Sequence, residues 1–339
     1  MGMTKDELAR RMARPAAKLS AIFSGKKVIT PATALQLEKV VGVPADIWIG
    51  LENEYRLAIA KQKEQSEIDH LKAETHFITK FQYSSLAKFD YVEKKTNVLD
   101  KVRQLHQYFG VTSLNNIATL KRYQPAYRQS ATGRYKSSPE ALAAWLRIGE
   151  LTAQKTACPA FNRKKLEEQM SQFLELTNKS PEEFINNLKS RFLSAGVIIV
   201  LCPHLPRTYV NGATFWIGSD KAVLMLTIRG SWADIFWFSL FHELGHILLH
   251  SKKEIFIEED NNSSRSESEL AADNFASNYL IDLNKYRRFK NANAFYKTDI
   301  IQFAAELGID PGIVVGRLQH EGVIENKWHN ALRRRYVWH

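Results

Sequence analysis

Cysteine is scarce in this chain, and that scarcity removes whole classes of protein. The two cysteines in 339 residues, Cys158 and Cys202, are far apart and in no CxxC pattern. Neither a disulfide framework nor a cysteine-built zinc cluster is supported. Long apolar runs are missing as well. No stretch reaches the roughly 18 apolar residues of a membrane-spanning helix, so no membrane partner is expected. The first residues, Met1-Gly-Met-Thr-Lys-Asp-Glu7, lack the apolar stretch of a signal peptide, which makes the cytoplasm the expected compartment. Internal repeats are absent too. Acidic residues are outnumbered, 36 Asp and Glu against 47 Lys and Arg, for a net charge of +11. That excess permits nucleic-acid binding and matters only where it clusters on a suitable module.

The remaining composition is that of a soluble globular protein, 45% hydrophobic and 24% charged, over a length that suggests two or three domains. Residues 4–63 read as short helices with clear punctuation. Thr4-Lys-Asp-Glu7 forms a capping box. Pro15 suits the first position of a second helix, which ends near Ser24-Gly25. Thr30-Pro31 and Gly42 start and stop a third. Pro44 opens a longer helix whose end at Ala60-Lys-Gln-Lys-Glu-Gln-Ser66 is polar and linker-like. Residues 64–135 form a connector in which Val98, Val102, Leu105 and Phe109 recur at helical spacing. A loop composition around Gln129-Ser-Ala-Thr-Gly-Arg134 places a boundary near residue 135.

From Ser138-Pro139 the signals sharpen. Helices are predicted through about Gln154, near 162–176 and near 181–194. The period then changes, and Val197–Leu201, Ala213–Ile217 and Ala222–Ile228 read as strands. A strongly apolar helix spans about 232–250. A short strand at Ile255–Ile257, a helix near 265–282 and three more helices follow. The chain is therefore mainly α with a small sheet, an α+β arrangement in which the sheet lies beside a buried helix.

That buried helix contains His242-Glu243-Leu244-Gly245-His246, the HExxH pattern. Residues four apart share a helix face, so both imidazoles can reach one ion, and Glu243 lies about 100° round, close enough to hold a water. The flanks, Ile235–Phe241 and Ile247–Leu249, are apolar nearly all round. Two histidines and a glutamate buried without partners would cost several kcal/mol, a cost that zinc removes. The plainer alternative is two core histidines hydrogen-bonded to neighbours. Catalytic zinc wants a third protein ligand and one open position. Glu269 and Asp273, four apart on the next helix, supply a candidate ligand and a carboxylate to orient a ligating ring. Glu267, Glu258 and Glu259 are rival ligands. Glu269 would instead close a capping box with Ser266, although Ser264-Arg-Ser-Glu267 offers a box two residues earlier. His250 has drifted about 80° from His242 and reads as a helix-end histidine. Gly245 costs its helix about 1 kcal/mol against Ala, which close packing beside the metal would explain. Tyr209, Arg229, His250 and Tyr279 are candidates to steady an oxyanion.

With these residues in hand, the C-terminal part resembles the ImmA/IrrE family of zinc metallopeptidase-like regulators. The resemblance rests on Ala144-Trp-Leu-Arg-Ile-Gly149, Phe236-Trp-Phe-Ser-Leu-Phe-His-Glu-Leu-Gly-His-Ile-Leu-Leu-His250, Glu269-Leu-Ala-Ala-Asp-Asn-Phe-Ala276 and Asp310-Pro-Gly-Ile-Val-Val-Gly-Arg-Leu-Gln319. It implies a gluzincin-like fold over residues 136–339 and places His242, His246 and Glu269 as zinc ligands with Glu243 as the base. It departs from the family where Leu280-Ile281 is followed by Asp282 instead of proline. The N-terminal part, residues 1–63, resembles the helix-turn-helix of HigA-type antitoxins in the Xre class. The carriers are Glu7-Leu-Ala-Arg-Arg-Met12, Leu19-Ser-Ala-Ile-Phe-Ser-Gly-Lys-Lys27, Thr30-Pro-Ala-Thr-Ala-Leu-Gln-Leu-Glu38 and Trp48-Ile-Gly-Leu-Glu-Asn-Glu-Tyr55. Residues 1–30 hold seven Lys and Arg against two Asp and Glu, which suits a phosphate-contacting face. Arg14, Ala16, Ala17, Lys18 and Ser20 would begin the recognition helix. The first helix of such domains is expected ahead of Gly2-Met3. Without it the face formed by Leu8, Met12, Leu19, Ile22 and Phe23 is expected to fray, to be covered by residues 64–135 or to pair with a second chain in a homodimer, and DNA binding is expected to be weak and mostly non-specific.

The combined expectation is a cytoplasmic transcriptional regulator with a zinc metallopeptidase domain that cleaves a specific protein such as a repressor. Strand 213–217 or 222–228 is expected to bind substrate by edge pairing. The rivals are an antitoxin-like DNA-binding repressor whose zinc domain senses or scaffolds, and a structural zinc protein with a closed site.

Overall fold

The computed structural model describes residues 2–129, 137–228, 232–252, 254–259 and 266–336. The chain divides into two compact units, 1–73 and 74–339. Helices dominate both, and the sheet is confined to the second.

The first unit holds α1 (Lys5–Arg11), α2 (Ala16–Phe23), α3 (Pro31–Val41) and α4 (Ala45–Ala73). Local chemistry sets their ends. Thr4 Oγ1 accepts from Glu7 N at 3.2 Å. Thr30 caps α3 with Pro31 at its first position, and Gly42 ends it at φ 78°, where a side chain would be strained. Pro15 is the residue before α2 and not its first. α4 continues straight through the polar run 60–66 that the sequence marks as linker. Those residues contain no Gly or Pro, and Lys, Gln and Glu all favour helix. Ala9, Met12, Leu19 and Leu37 form the unit's core, with Leu8, Ile29, Val40, Val41 and Trp48 against it. Leu8, Met12 and Leu19 of the apolar set of α1 and α2 are thus covered by residues 29–48, which corrects the expectation for those three, while Phe23 stays 51% exposed.

The second unit begins with α5 (Phe77–Lys80), α6 (Tyr83–Lys88), α7 (Val98–Phe109) and α8 (Gln124–Gln129), which belong to the same compact unit as the sheet. The boundary expected near residue 135 lies outside the described residues, as does the loop that suggested it. Next come α9 (Pro139–Lys155), α10 (Arg163–Leu176) and α11 (Pro181–Ser194). The strands are β1 (Val197–Cys202), β2 (Val210–Ile217), β3 (Lys221–Thr227) and β4 (Phe256–Glu259), in the order β1-β3-β2-β4. β1 runs parallel to β3, while β2 is antiparallel to β3 and β4. α12 (Ala233–Leu249) separates β3 from β4 in sequence, and α13 (Glu267–Leu280), α14 (Leu283–Ala292), α15 (Lys297–Leu307) and α16 (Pro311–His320) complete the unit.

Strand alternation divides the sheet's faces between two helices. Ala222, Leu224 and Leu226 join the core around α12. Met225 points the other way, onto α9, where a Cβ on Gly149 would lie 2.2 Å from its sulfur. α12 is buried along nearly its whole length. Its start is tied to the chain end by Asp234 with Arg333 (2.7 Å) and Trp237 with Tyr336 (2.7 Å). α13 lies against it closely, because Gly245 presents only hydrogen where a Cβ would sit 3.1 Å from Ala272 Cα. That contact is the close packing expected of this glycine. No helix among the described residues is long and apolar enough to cross a membrane.

Candidate metal centre

α12 and α13 bring His242, His246 and Glu269 together, with one donor atom of each within 4.8 Å of the others. Four-residue spacing turns both imidazoles to the same side of α12. Their Nε2 atoms are 3.0 Å apart. Glu269 spans them, with Oε2 3.2 Å from His242 Nε2 and Oε1 3.5 Å from His246 Nε2. Donors about 2.0–2.1 Å from a tetrahedral zinc ion lie about 3.3 Å from one another. The observed triangle has that size, and its nitrogen and carboxylate donors are those zinc takes.

Each ligand candidate is oriented by something different. His242 Nδ1 donates to Asp273 Oδ1 at 2.9 Å, one helical turn beyond Glu269 on α13. His246 Nδ1 is buried with no hydrogen-bond partner among the described residues. Its ring is held flat against Phe256 of β4, centroids 4.1 Å apart and planes within 14°. Glu269 is placed by the start of α13. Ser266 caps that helix by accepting from Glu269 N at 3.3 Å, and Ser264, which would open the box two residues earlier, lies outside the described residues. The Glu269 carboxylate turns away from the cap, toward the histidines.

The charges are tightly linked. Burial alone would depress His242, but the carboxylates of Asp273 and Glu269 outweigh it and raise its pKa to about 11. Burial would lift Glu269, and its hydrogen bonds to both histidines bring it down to about 2. His246 is lowered, first by burial and then by the neighbouring His242 charge. In the metal-free protein a proton on His242 therefore does the work of a cation.

Glu243 is fully buried. Thr214 Oγ1 on β2 donates to its Oε2 at 2.5 Å, while Oε1 has no partner among the described residues. Burial pushes this carboxyl well above the usual range, with His242 pulling against it. Gly212, two residues before Thr214 on the same face of β2, makes the room. A Cβ there would lie 2.5 Å from Glu243 Oε1. Gly212, Thr214 and Phe256 were not picked out from the sequence. A lone Gly inside a strand pattern was the one signal available, since it marks close approach.

Other candidates fall elsewhere. Glu267 is exposed at the start of α13. Glu258 ends inside the protein on β4, its carboxyl raised by burial and drawn down by His242, but it is not one of the three converging donors. His250 is paired with the Ser268 carbonyl at 3.0 Å. Tyr279 stacks on Phe241 at 5.0 Å, and Tyr209 precedes β2 at φ 42°. Arg229 lies outside the described residues. In the first unit, Ala16, Ala17, Lys18 and Ser20 are exposed on α2, whereas Arg14 Nε is engaged by Gln36 Oε1 of α3 at 2.5 Å.

Comparison with known families falls on this site. Residues 234–319 match the family model of the IrrE N-terminal-like domain. The match runs from the first turn of α12 almost to the end of α16 and takes in His242, Glu243, His246, Glu269 and Asp273. It supports kinship with the ImmA/IrrE family and a metallopeptidase-like domain over that stretch. No curated protein matches the chain.

Proposed function

We propose that the second unit is a zinc metalloendopeptidase restricted to a specific protein target, such as a repressor, and that the first unit is a helix-turn-helix joining it to DNA. The observation that carries the reading is the triangle of His242 Nε2, His246 Nε2 and the Glu269 carboxylate, with Asp273 behind it. A zinc ion held there would polarise a scissile carbonyl and lower the pKa of water. Glu243 accepts the proton of the attacking water through Oε1 and passes it to the leaving amine. Its raised proton affinity suits a group that must hold that proton between the two steps. Thr214 keeps the other oxygen fixed, and Phe256 and Asp273 keep the two rings in register.

Substrate docking differs from the expectation drawn from sequence. β3 lies between β1 and β2 and offers no free edge, whereas β2 is paired with β4 only over Val210–Thr214, which leaves Phe215–Ile217 without a strand partner on that side. The edge nearest the site is β4, whose Phe256 already touches His246. An extended peptide would add there.

Full burial of Glu243 favours a second reading, in which the zinc domain senses or scaffolds and the chain acts as an antitoxin-like repressor. One experiment separates the two. The purified chain is mixed with a candidate partner repressor, with and without chelator, beside Glu243→Gln. Cleavage by the wild type alone, abolished by chelator, is expected, with Glu243→Gln keeping its zinc. Equal cleavage by Glu243→Gln would remove Glu243 from the chemistry. A zinc-loaded wild type that binds the repressor and leaves it intact would favour the second reading.

A further inference from the structure

The second unit holds a cavity that the metal centre does not use. Its volume is about 450 Å³, within the roughly 300–1,000 Å³ of small-molecule sites. It lies where β2 runs on past its pairing with β4, with Trp216 and Ile255 on one side and α7 and α9 on the other. Arg122 enters it across β2. Its guanidinium sits 4.7 Å over the Phe215 ring, and its Nη1 donates to the Trp216 carbonyl at 3.0 Å. Phe215 shares a face with Ala213, which pairs with Met225, so it looks onto α9 and away from α12 and its histidines.

The charges in this cavity do not balance. Four cations line it, Lys121, Arg122, Arg147 and Lys252, against two carboxylates, Glu150 and Glu254, a surplus of two positive charges. Glu150 is already satisfied. Arg147 Nη1 donates to it at 2.6 Å and the Tyr123 hydroxyl at 2.7 Å, while Arg122 Nε lies 3.8 Å away. Glu254 is exposed, where water screens it. Arg147 is pinned further by the Tyr108 carbonyl at 2.7 Å. Lys252 is placed by the Ser219 carbonyl at 2.9 Å and lies 4.5 Å over the Trp216 ring. Lys121 and the Nη2 of Arg122 have no hydrogen-bond partner among the described residues. Fixed cations with donors to spare suit a multiply charged anion. Phe109, Leu120 and Ile255 add an apolar side that a bare inorganic ion would leave uncovered. A phosphomonoester carries about −1.5 to −2 at neutral pH, which matches the surplus.

We propose that this cavity binds a small organic phosphate, a phosphomonoester on a compact apolar or aromatic body. Lys121, Arg122 and Lys252 take the phosphate, and Phe109, Leu120 and Ile255 take the body. A cavity of this size admits a small molecule and not a nucleic-acid duplex. The site is independent of the peptidase reading.

The test is calorimetric titration of the full chain with phenyl phosphate in a phosphate-free buffer. One preparation is zinc-loaded, and a second is stripped of metal and dialysed free of chelator. One saturable site per chain is expected in both, at least about 10-fold tighter than inorganic phosphate or phenol. Lys121→Glu and Lys252→Glu should each weaken it at least about 10-fold, with the circular dichroism spectrum and unfolding midpoint unchanged. Lys121→Ala, a milder change at an exposed position, should weaken it too, and Lys18→Glu on α2 should not. The proposal falls if phenyl phosphate shows no saturable binding, or if the lysine variants of the cavity bind as the wild type does. Binding that disappears with the zinc would assign the anion to the metal centre and overturn it. So would inorganic phosphate binding as tightly as phenyl phosphate, or citrate binding more tightly, which would replace the organic phosphate by a bare ion or a polycarboxylate.

Discussion

Adding one methyl group at Gly212 should strain the candidate base more than any other change of that size. The Cβ of Gly212→Ala would fall 2.5 Å from Glu243 Oε1, 2.8 Å from its Cγ and 2.9 Å from its Cδ, roughly 1 Å inside normal contact. Neither side can yield easily. β2 is paired at this residue with Leu226 of β3 and Glu258 of β4, and the carboxylate is held through Oε2 by Thr214. Overpacking of this kind costs about 1–3 kcal/mol. A double-mutant cycle in denaturant isolates the source. In a Glu243→Ala background the methyl enters space the carboxylate has vacated, so Gly212→Ala should cost within about 0.5 kcal/mol of nothing, leaving a coupling of about 1–3 kcal/mol. Gly149→Ala serves as a comparison, since its clash is with the flexible Met225 side chain and should be milder. If Gly212→Ala costs the same with and without the Glu243 side chain, the close approach is not what requires glycine, and the account of how β2 seats the base fails.

Three further outcomes follow from the same geometry. Asp273→Ala leaves all three donors in place but frees His242 Nδ1, and should weaken zinc roughly 10–100-fold in a chelator competition; unchanged affinity would reduce Asp273 to a helix-surface residue. Phe256→Ala removes the ring that holds His246, whose Nδ1 has no hydrogen bond to replace it, and should also weaken zinc while Phe256→Tyr, which keeps the stack, should not; equal affinity in both would dismiss the stack. The third concerns pH. His242, raised from 6.5 to about 11, stabilises the metal-free fold fully below its unfolded value and loses that contribution as pH climbs toward 11; Glu269, lowered from 4.5 to about 2, contributes above 4.5 and loses it as pH falls toward 2. Zinc must displace the His242 proton, so titration calorimetry at pH 7 in buffers of different ionisation enthalpy should show about one proton released per zinc and affinity rising with pH, and uptake with no proton released would contradict the charge state assigned to His242.

Much of this was legible in the sequence, for reasons local to the chain. A helix period of 3.6 is enough to put His242 and His246 on one face, and Glu269 and Asp273 on one face of the next helix. The apolar flanks of α12 announce its burial, and the strands of the second unit stand out as short, nearly continuous apolar runs. Caps at Thr4, Thr30 and Ser138 are short-range chemistry and needed no fold to be read. The linker reading of residues 60–66 failed because polarity tells only that a segment faces water, while helix propensity decides its backbone. What tertiary structure alone decided is everything that depends on which surfaces meet across distant sequence. Strand order made β4 the edge nearest the site and buried β3. It set Gly212 and Thr214 against Glu243, about thirty residues away, and Phe256 against His246. Packing of α13 on Gly245 brought Glu269 to the two histidines and left Glu267 exposed. Spacing along a chain ranks donors by helix face, but the distance between two helices is fixed by the side chains that fill the gap, and those come from both.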